Sequence, residues 1–194
     1  TIELGLRRIS IVLARTGCTR PRAPVITVGG TNGKGSCVAL LDAVLRANGY
    51  RVATFTSPHL VDYRERIRVD GAMVSEASLI ASFERTADAL APDSLTFFEF
   101  NTLAALLIFE TAVPDVIVLE VGLGGRLDSV NVVDPDVAVV VSIGLDHMDW
   151  LGPDLESIGR EKAGIFRAGR PAVFGTPEPP QSVRDRAHEI GARL

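Results

Sequence analysis

A glycine-rich segment with a lysine near its centre has the composition of a phosphate-binding loop. Residues 28–36 read VGGTNGKGS. Glycines allow the backbone to curl so that several amide hydrogens point at one anion, and Lys34 adds a positive charge suited to the β- and γ-phosphates of a nucleotide. The spacing departs from the common P-loop, because Val28 stands at the position of its first glycine and Gly35 separates Lys34 from Ser36. The segment still predicts a phosphate site formed by Gly30, Thr31, Asn32, Gly33, Lys34, Gly35 and Ser36.

Three further polar residues, Ser57, Glu120 and His147, stand at or after the ends of apolar runs. An acid at the end of an apolar strand is where P-loop enzymes place a metal carboxylate, and a buried Glu120 would also require a positive partner. A serine hydroxyl can reach a magnesium ion held by phosphates, and a neutral imidazole nitrogen can bind metal. Each loop alone is compatible with plain solvated charges. Their convergence at one sheet edge predicts a magnesium site.

Other polar and aromatic residues allow more than one interpretation. Any of the arginines 64, 66 and 68 could meet a second anion, although a solvated loop has the same composition. Lys162, near the end of a predicted helix, has by itself the character of a surface residue that complements the helix dipole. The aromatic side chains Phe97, Phe98 and Trp150 could sandwich a planar heterocycle or simply pack in the core.

The elements that position these residues follow from hydrophobic patterning. Two valine-rich runs without polar alternation, 116–121 and 137–143, are typical of strands buried on both faces of a parallel sheet, so helices must cover both faces. We predict further strands at 25–28, 52–56 and 172–174, a small hairpin around Asp70 and Gly71, and helices at 36–48, 75–90, 98–111, 154–166 and 182–190. The fold class is α/β, P-loop NTPase-like, with a mostly parallel sheet and helices on both faces.

Composition excludes several classes of protein. Twenty Lys and Arg against 24 Asp and Glu give a net charge of -4, which does not favour sequence-independent binding to nucleic acid. No apolar run approaches the ~18 residues that span a bilayer, and the amino end lacks a signal peptide's apolar core. Two cysteines are too few for a disulfide scaffold. We expect a cytoplasmic protein of one domain, or one domain plus a fragment, and we expect the sequence to be a piece of a longer chain.

Taken together, the motifs resemble the folylpolyglutamate synthase and dihydrofolate synthase family, a branch of the Mur ligase superfamily. Six stretches carry the resemblance in the family's order and spacing: GTNGKGS at 30–36, TSPHLVDYRERIRV at 56–69, FFEF at 97–100, LEVGLGGRLDSVNVV at 119–133, SIGLDHMDWLG at 142–152 and IGREKAGI at 158–165. They extend over nearly the whole chain. The resemblance implies the fold of the Mur ligase central domain.

The resemblance also implies a reaction and a set of site residues. Such enzymes use ATP to convert a carboxylate into an acyl phosphate, which the amino group of L-glutamate attacks. By this resemblance Lys34, His147 and Lys162 are catalytic, residues 30–36 bind ATP, and Lys162, as a carbamate, joins Ser57, Glu120 and His147 in binding Mg²⁺. Negative ligands of this kind suit two phosphoryl-bound metal ions. The residues implied for the pterin ring of the substrate are Thr96, Phe97, Phe98, Glu99, Leu127, Asp128 and Ser129.

The chain departs from this family in length. Family members are about twice as long, so the resemblance implies that residues 1–194 are an incomplete ATP-binding domain and that the carboxyl-terminal glutamate-ligase domain is absent. We expect the fragment alone to be inactive, because ligation requires two domains to close on the substrates. The expected partners are dihydropteroate or tetrahydrofolate, L-glutamate and ATP, with no nucleic acid or membrane, and the protein is expected to be a monomer.

Three functions remain open at this point. The favoured one adds glutamate to dihydropteroate, to folates or to both, since these activities share every motif above. A Mur-type ligase acting on a cell-wall nucleotide precursor would lack the pterin residues at 96–99 and 127–129. A P-loop nucleotide switch would bind a protein partner in a nucleotide-dependent way and would bind no pterin.

Overall fold

Seven strands form one mixed sheet in the residues that the computed structural model describes, 3–18 and 20–194. They are β1 (Val25–Gly29), β2 (Val52–Phe55), β3 (Ile67–Val69), β4 (Ala72–Met73), β5 (Val116–Glu120), β6 (Val137–Val140) and β7 (Ala172–Phe174). The strand order is β4-β3-β2-β5-β1-β6-β7. The five strands from β2 to β7 in this order run parallel, and the hairpin of β3 and β4 adds an antiparallel edge. The predicted fold class is confirmed.

Seven α-helices lie among these described residues. They are α1 (Arg7–Arg15), α2 (Lys34–Ala47), α3 (Glu76–Leu90), α4 (Phe97–Ala112), α5 (Met148–Leu151), α6 (Leu155–Lys162) and α7 (Gln181–Ile190). Short 3-10 turns occur at Tyr63–Arg66, Ser129–Val132 and Ala163–Ile165. None of the helices in ranges 3–18 and 20–194 has the length and apolar character needed to cross a bilayer.

The central strand β5 shows why helices cover both faces of the sheet. All five of its residues are buried, and successive side chains point to opposite faces. Val116 and Val118 pack with Val38 of α2 in one apolar cluster. Ile117 and Leu119 pack in a second cluster that includes side chains of α3, α4 and α7. A valine-rich run without alternation is therefore the pattern that this position requires.

Most predicted elements are confirmed, with four differences. Helix α1 was not predicted, although its apolar residues Ile9, Val12 and Leu13 recur at helical spacing and the first two are buried. The short helix α5 was also not predicted. Strand β6 ends at Val140 rather than at residue 143, since the chain then leaves the ladder to contact the glycine-rich loop after β1. The predicted helix 154–166 is α6 followed by a 3-10 turn.

The starts of the helices differ in a way that matters for the site. A side chain caps the amino end of α3 (Ser75), of α4 (Thr96) and of α6 (Asp154) by accepting a hydrogen bond from a backbone N–H. Helix α2 instead begins after Gly33, whose φ is 81°, with no side-chain cap and no acidic residue in its first turn. Its first N–H groups are therefore left for another partner.

Candidate active site

The glycine-rich loop joins β1 to α2 at the carboxyl edge of the sheet, as its sequence predicts. The first backbone bond of α2 runs from Cys37 N to Gly33 O, at 2.9 Å. The N–H groups of Lys34, Gly35 and Ser36 precede that bond at the positive end of the helix dipole. Gly33 lies in the left-handed region, and a Cβ there would lie 3.1 Å from Val141 Cγ1. The loop conformation thus depends on glycine and presents donors suited to an anion.

The chain after β6 holds this loop in place. Thr31 N donates to Ser142 O at 2.9 Å, and Asn32 N donates to Ser142 Oγ at 3.0 Å. Thr31 Oγ1 accepts from Gly144 N at 3.0 Å. Two loop amides that the sequence offered for a phosphate, those of Thr31 and Asn32, are thus used within the protein. The donors that remain lie at the start of α2.

The amino group of Lys34 folds over the loop. It donates to Gly30 O at 2.9 Å and to Thr31 O at 3.2 Å. These are neutral acceptors, and no carboxylate lies within ion-pair distance of Lys34 in the described part of the chain. The positive charge is therefore free to pair with a phosphate that enters the loop.

Glu120 and Ser57 come together beside the loop. Ser57 N donates to Glu120 Oε2 at 3.0 Å, and Glu120 is buried at the end of β5. Burial raises the pKa of Glu120, while the Ser57 N–H and the charge of Lys34 act against this shift. The positive charge that acts on Glu120 is thus that of Lys34, which forms no ion pair with it. A Cβ on Gly35 would lie 3.7 Å from Glu120 Oε1, so this second oxygen faces the start of α2.

His147 reaches the same region from the chain after β6. It has a φ of 50°, its backbone N donates to Asp146 Oδ1 at 2.9 Å, and its side chain is half exposed. His147 lines one cavity together with Ser57. The structure therefore joins Ser57 to Glu120 by a hydrogen bond and places His147 on the wall of the cavity that Ser57 also lines.

Lys162, the fourth predicted metal residue, is buried and not a surface lysine. Only 4% of it is exposed, at the last turn of α6. Burial lowers the pKa of its amino group to about 8, the charge of Lys34 adds to this, and Asp146 and Asp128 oppose it. Its position near a helix end suggested a solvated residue, and that interpretation was wrong because the helix end lies under the loops of the site.

The four residues predicted to bind magnesium contain too few carboxylates to hold the ion alone, so other oxygen ligands are needed. Within 3–18 and 20–194, no three His, Cys, Asp or Glu side chains gather in a metal-binding arrangement. The predicted set has two such residues, Glu120 and His147, plus the Ser57 hydroxyl and Lys162. The buried oxygen of Glu120 that faces the phosphate loop fits a cation shared with phosphates, which supply the remaining oxygen ligands.

A cavity of 590 Å³ opens next to Ser57, within the size range of small-molecule sites. Its walls come from the amino-terminal segment, the chain after β2, the start of α4 and the loop after β5. All seven residues predicted for the pterin line it: Thr96, Phe97, Phe98, Glu99, Leu127, Asp128 and Ser129. Phe98 is held against Phe55, with ring centroids 5.7 Å apart, while Phe97 is mostly exposed.

The start of α4 satisfies its own polar groups. Thr96 Oγ1 accepts from Glu99 N at 3.3 Å, and Glu99 Oε2 accepts from Thr96 N at 2.7 Å, which is a capping box. Arg8 of α1 donates to both oxygens of Glu99, at 3.2 and 3.3 Å. Thr96 and Glu99 therefore have structural partners in addition to their place on the cavity wall.

Asp128 and Ser129 are buried on the same wall. Asp128 Oδ2 accepts from Leu123 N at 2.8 Å and Oδ1 from Val130 N at 3.0 Å. Burial raises the pKa of Asp128 to about 6 despite these bonds. The hydroxyls of Ser129 and Thr102 lie 2.6 Å apart. A carboxyl of this kind changes protonation near neutral pH and suits contact with a heterocycle.

The amino-terminal part of the cavity wall was not predicted from the residues. Glu3 and Gly5 line the cavity, Gly5 N donates to Leu127 O at 3.2 Å, and Arg8 pairs with both Glu3 and Glu99. The resemblance indicated only that the family's first residues contribute to the pterin site. Trp150, offered for a heterocycle, is half exposed on α5 and does not line the cavity.

Comparison with known proteins agrees with this geometry. The family model for the Mur ligase middle domain matches residues 28–176. The curated dihydrofolate synthase/folylpolyglutamate synthase of Escherichia coli strain K12 is 56% identical over 194 residues, which is 100% of this chain and 46% of that protein. The chain spans about half the length of the curated relatives it matches.

Solved structures give the same result. E. coli FolC in complex with DHPP and ADP aligns with a TM-score of 0.98 at 56% identity, covering 100% of this chain and 47% of that one. A bifunctional folylpolyglutamate synthase/dihydrofolate synthase with Mn, AMPPNP and L-glutamate bound aligns with a TM-score of 0.94 at 53% identity, covering 100% and 48%. The similarity predicted from the motifs is confirmed.

The matched range contains the phosphate loop, Glu120, His147 and Lys162, so the family assignment and the site coincide. The fold agrees as well, since the sheet of parallel strands with helices on both faces is the one seen in the solved structures. The chain belongs to the Mur ligase middle-domain family.

Proposed function

We propose that this chain carries the ATP and pterin sites of an ATP-dependent ligase that adds L-glutamate to dihydropteroate, to folates or to both. The observation that carries the proposal is the place of Ser57. Its N–H binds Glu120 beside the phosphate loop, and the same residue lines the 590 Å³ cavity. A carboxylate on a molecule in that cavity would thus lie next to the phosphates of a bound nucleotide, as acyl phosphate formation requires.

The phosphate half of the site would bind ATP through the start of α2 and Lys34. The N–H groups of Lys34, Gly35 and Ser36 would bind phosphate oxygens, and the Lys34 amino group would leave the carbonyls of Gly30 and Thr31 for the β- and γ-phosphates. Magnesium, when bound by Ser57, Glu120, His147 and carbamylated Lys162, supplies positive charge to the phosphates. The relatives solved with ADP and with Mn and AMPPNP support this assignment.

The proposed reaction has two steps, and the positive charge of Lys34 favours the first. A carboxylate oxygen of the substrate attacks the γ-phosphorus, the bond to the β-phosphate oxygen breaks, and ADP leaves. Lys34 reduces the repulsion between the two anions as they approach. The uncharged amino group of glutamate next attacks the acyl carbon, phosphate leaves, and the nitrogen loses a proton as the amide forms.

Lys162 suits conversion to a carbamate. A pKa of about 8 leaves a substantial fraction of its amino group neutral at physiological pH. The neutral nitrogen attacks carbon dioxide, a bond from nitrogen to carbon forms, and one proton is released. The product is an anion, which removes the repulsion between Lys162 and Lys34. We propose this modification because burial next to a second cation disfavours an ammonium group there.

The cavity half would hold the pterin. Phe97 and Phe98 offer ring surfaces, and Asp128 offers a carboxyl that can exchange protons near pH 6 with a heterocycle. Leu127, Ser129, Thr96 and Glu99 complete the wall. A ligase acting on a cell-wall nucleotide precursor would not need a pterin-binding wall of this kind.

We further propose that residues 1–194 are an incomplete ATP-binding domain and that glutamate is bound by a carboxyl-terminal domain outside this chain. The relative solved with L-glutamate bound is about twice as long, which supports this division. Alone, the chain is expected to bind ligands without ligating them. A cytoplasmic monomer that acts on small molecules, without nucleic acid or membrane partners, is part of the same proposal.

Isothermal titration of residues 1–194 tests the proposal. We expect micromolar binding of dihydropteroate, about -8 kcal/mol, and separate binding of MgATP. Lys34→Ala should abolish MgATP binding and leave dihydropteroate binding intact, while Arg46→Ala, at the other end of α2, should change neither. Binding of a uridine-linked cell-wall precursor in place of dihydropteroate would contradict the proposal, as would nucleotide-dependent capture of a protein without pterin binding.

A further inference from the structure

Three arginines on the segment after β2 were equal candidates for a second anion, and the structure separates them. Arg64 Nη2 lies 2.7 Å from Asp62 Oδ2, and its Nη1 lies 3.6 Å from Glu76. Arg68 donates to Gly71 O at 3.3 Å. Arg66 is 7% exposed and lines the 590 Å³ cavity, yet no carboxylate within residues 3–18 and 20–194 pairs with it.

The surroundings of Arg66 fix its guanidinium group without neutralising it. Its Nε donates to His59 Nδ1 at 2.8 Å. The guanidinium carbon lies 5.5 Å from the ring centroid of Phe97 and 5.9 Å from that of Tyr63. Arg66 O accepts from Thr56 N at 2.9 Å, which places the residue beside Ser57. In the described residues, neither Nη atom has a hydrogen-bond acceptor.

A buried cation of this kind favours an anion in the cavity. Burying a charge without a partner is costly, and two aromatic faces compensate only part of that cost. The planar guanidinium fork matches a carboxylate better than a single charge would. The anion must belong to a molecule in the cavity, because no residue of the phosphate loop, 30–36, lines it.

The chemistry of the two proposed substrates identifies this anion. Dihydropteroate has a single carboxylate, which reacts. A folate that ends in glutamate has two, of which one reacts and one does not. Pairing with arginine withdraws electron density from carboxylate oxygens, so it would weaken the carboxylate that must attack phosphorus. The non-reacting carboxylate suffers no such penalty.

We propose that Arg66 binds the non-reacting carboxylate of the terminal glutamate of a folate and so determines specificity for folates relative to dihydropteroate. This inference rests on the proposed function. It assigns Arg66 to one of the two substrates and not to the reaction itself. His59, Tyr63 and Phe97 position the guanidinium for that contact.

A matched pair of ligands tests the assignment, since dihydrofolate is dihydropteroate with one glutamate added. Binding of each to the full-length protein should be measured by titration for the wild type, Arg66→Gln, Arg66→Lys and Arg68→Gln. We expect Arg66→Gln to weaken dihydrofolate binding by at least about 10-fold, as for lost hydrogen bonds to a charged group, and dihydropteroate binding by less than about 3-fold. Arg66→Lys should be intermediate for dihydrofolate, and Arg68→Gln should affect neither ligand.

Other outcomes contradict the assignment in distinguishable ways. Equal weakening of both ligands by Arg66→Gln would mean that Arg66 contacts the reacting carboxylate or only supports the wall. Weaker MgATP binding alone would make the nucleotide its partner. If the wild type bound neither pterin, the proposed function itself would fail, and the role of Arg66 with it. A thermal melt identifies any variant that does not fold, and if Arg66→Gln is unfolded the Arg66→Lys result decides.

Discussion

Helices α2 and α4 both begin at the site, and they begin in opposite ways. Helix α4 starts with Thr96 and Glu99 bonded to each other's backbone, and Arg8 neutralises the glutamate. Helix α2 starts after Gly33 with no side-chain cap and no acid in its first turn. Glu99 and Ser36 occupy the same position in the two helices, three residues after the N-cap. One helix satisfies its own N–H groups, and the other leaves them open.

The two buried acids show the same contrast. Both oxygens of Asp128, on the cavity wall, accept backbone N–H groups. Glu120, beside the phosphate loop, uses one oxygen in this way, and the other faces Gly35. The phosphate half therefore keeps some polar groups without a protein partner in the described part of the chain, namely the first N–H groups of α2 and one oxygen of Glu120, which suits a charged and strongly solvated ligand. In the cavity half, the start of α4 and Asp128 are satisfied and Phe97 exposes its ring, which suits a flat and mostly apolar ligand, and Arg66 adds one charge without an acidic partner among the described residues.

Removing the charge at the open end of α2 should have the largest effect. Lys34→Ala is expected to lower the rate of glutamate addition by the full-length protein by at least about 100-fold, because the phosphoryl group loses a fixed positive charge as it transfers. Steady-state phosphate release measures this rate. Arg46→Ala removes a cation paired with Asp42 on the same helix and should change the rate by less than about 2-fold. A rate for Lys34→Ala within about 3-fold of the wild type would refute this view of the loop.

The pH dependence of stability tests the cavity half. The pKa of Asp128 is raised from 3.8 to about 6 by burial, so the folded state holds the proton more tightly than the unfolded chain. The contribution of Asp128 to stability is thus complete below pH 4 and is lost as the pH rises to 6, a change of about 2 to 3 kcal/mol.

Urea unfolding of the wild type and Asp128→Asn between pH 4 and 7 provides the comparison. The difference in unfolding free energy between them should change across this window in favour of the variant as the pH rises. The change of this free-energy difference with pH is the informative quantity. Its absolute value also includes the hydrogen bond to one backbone N–H that the asparagine amide group cannot accept. Parallel curves would show that Asp128 titrates normally.

Introducing into the first turn of α2 an acidic residue like the one in α4 should remove the difference between the two helix starts. Ser36→Glu places an acid where α4 has Glu99. The new carboxylate interacts with the positive end of the helix dipole and repels a phosphate. We expect MgATP binding to weaken by at least about 10-fold, while the melting temperature rises slightly, by the equivalent of about 0.5 kcal/mol. Ser36→Gln, the neutral match, should retain most of the affinity. Equal affinities of the two variants for MgATP would rule out the electrostatic explanation.

Removing the cap of α4 should have the smallest effect. Thr96→Ala is expected to lower the unfolding free energy by about 1 kcal/mol, and Thr96→Ser by much less, because serine also accepts the Glu99 N–H. Chemical denaturation measures both. MgATP binding should not change in either variant, so a large change there would mean that the two halves of the site are coupled.

The elements could be predicted largely because each has a strong local signal. The mostly apolar helix α4 and the valine-rich strand β5 required no knowledge of their neighbours. Helix α5 is a single turn and produces no clear pattern, whereas α1 carries Ile9, Val12 and Leu13 at helical spacing and could have been predicted. The end of β6 depended on a distant loop, because the chain at Ser142 turns away to bind Thr31 and Asn32.

The site divides in the same way. Residue types and their order determined the phosphate loop, the parallel sheet and the presence of polar residues at its carboxyl edge, since glycine conformation and buried valines act locally. Only the tertiary structure decided that Lys162 is buried, that Arg8 pairs with Glu99, and that Arg66, rather than Arg64 or Arg68, lines the cavity. Burial and charge pairing depend on which distant segments meet, and that is settled only when the chain packs.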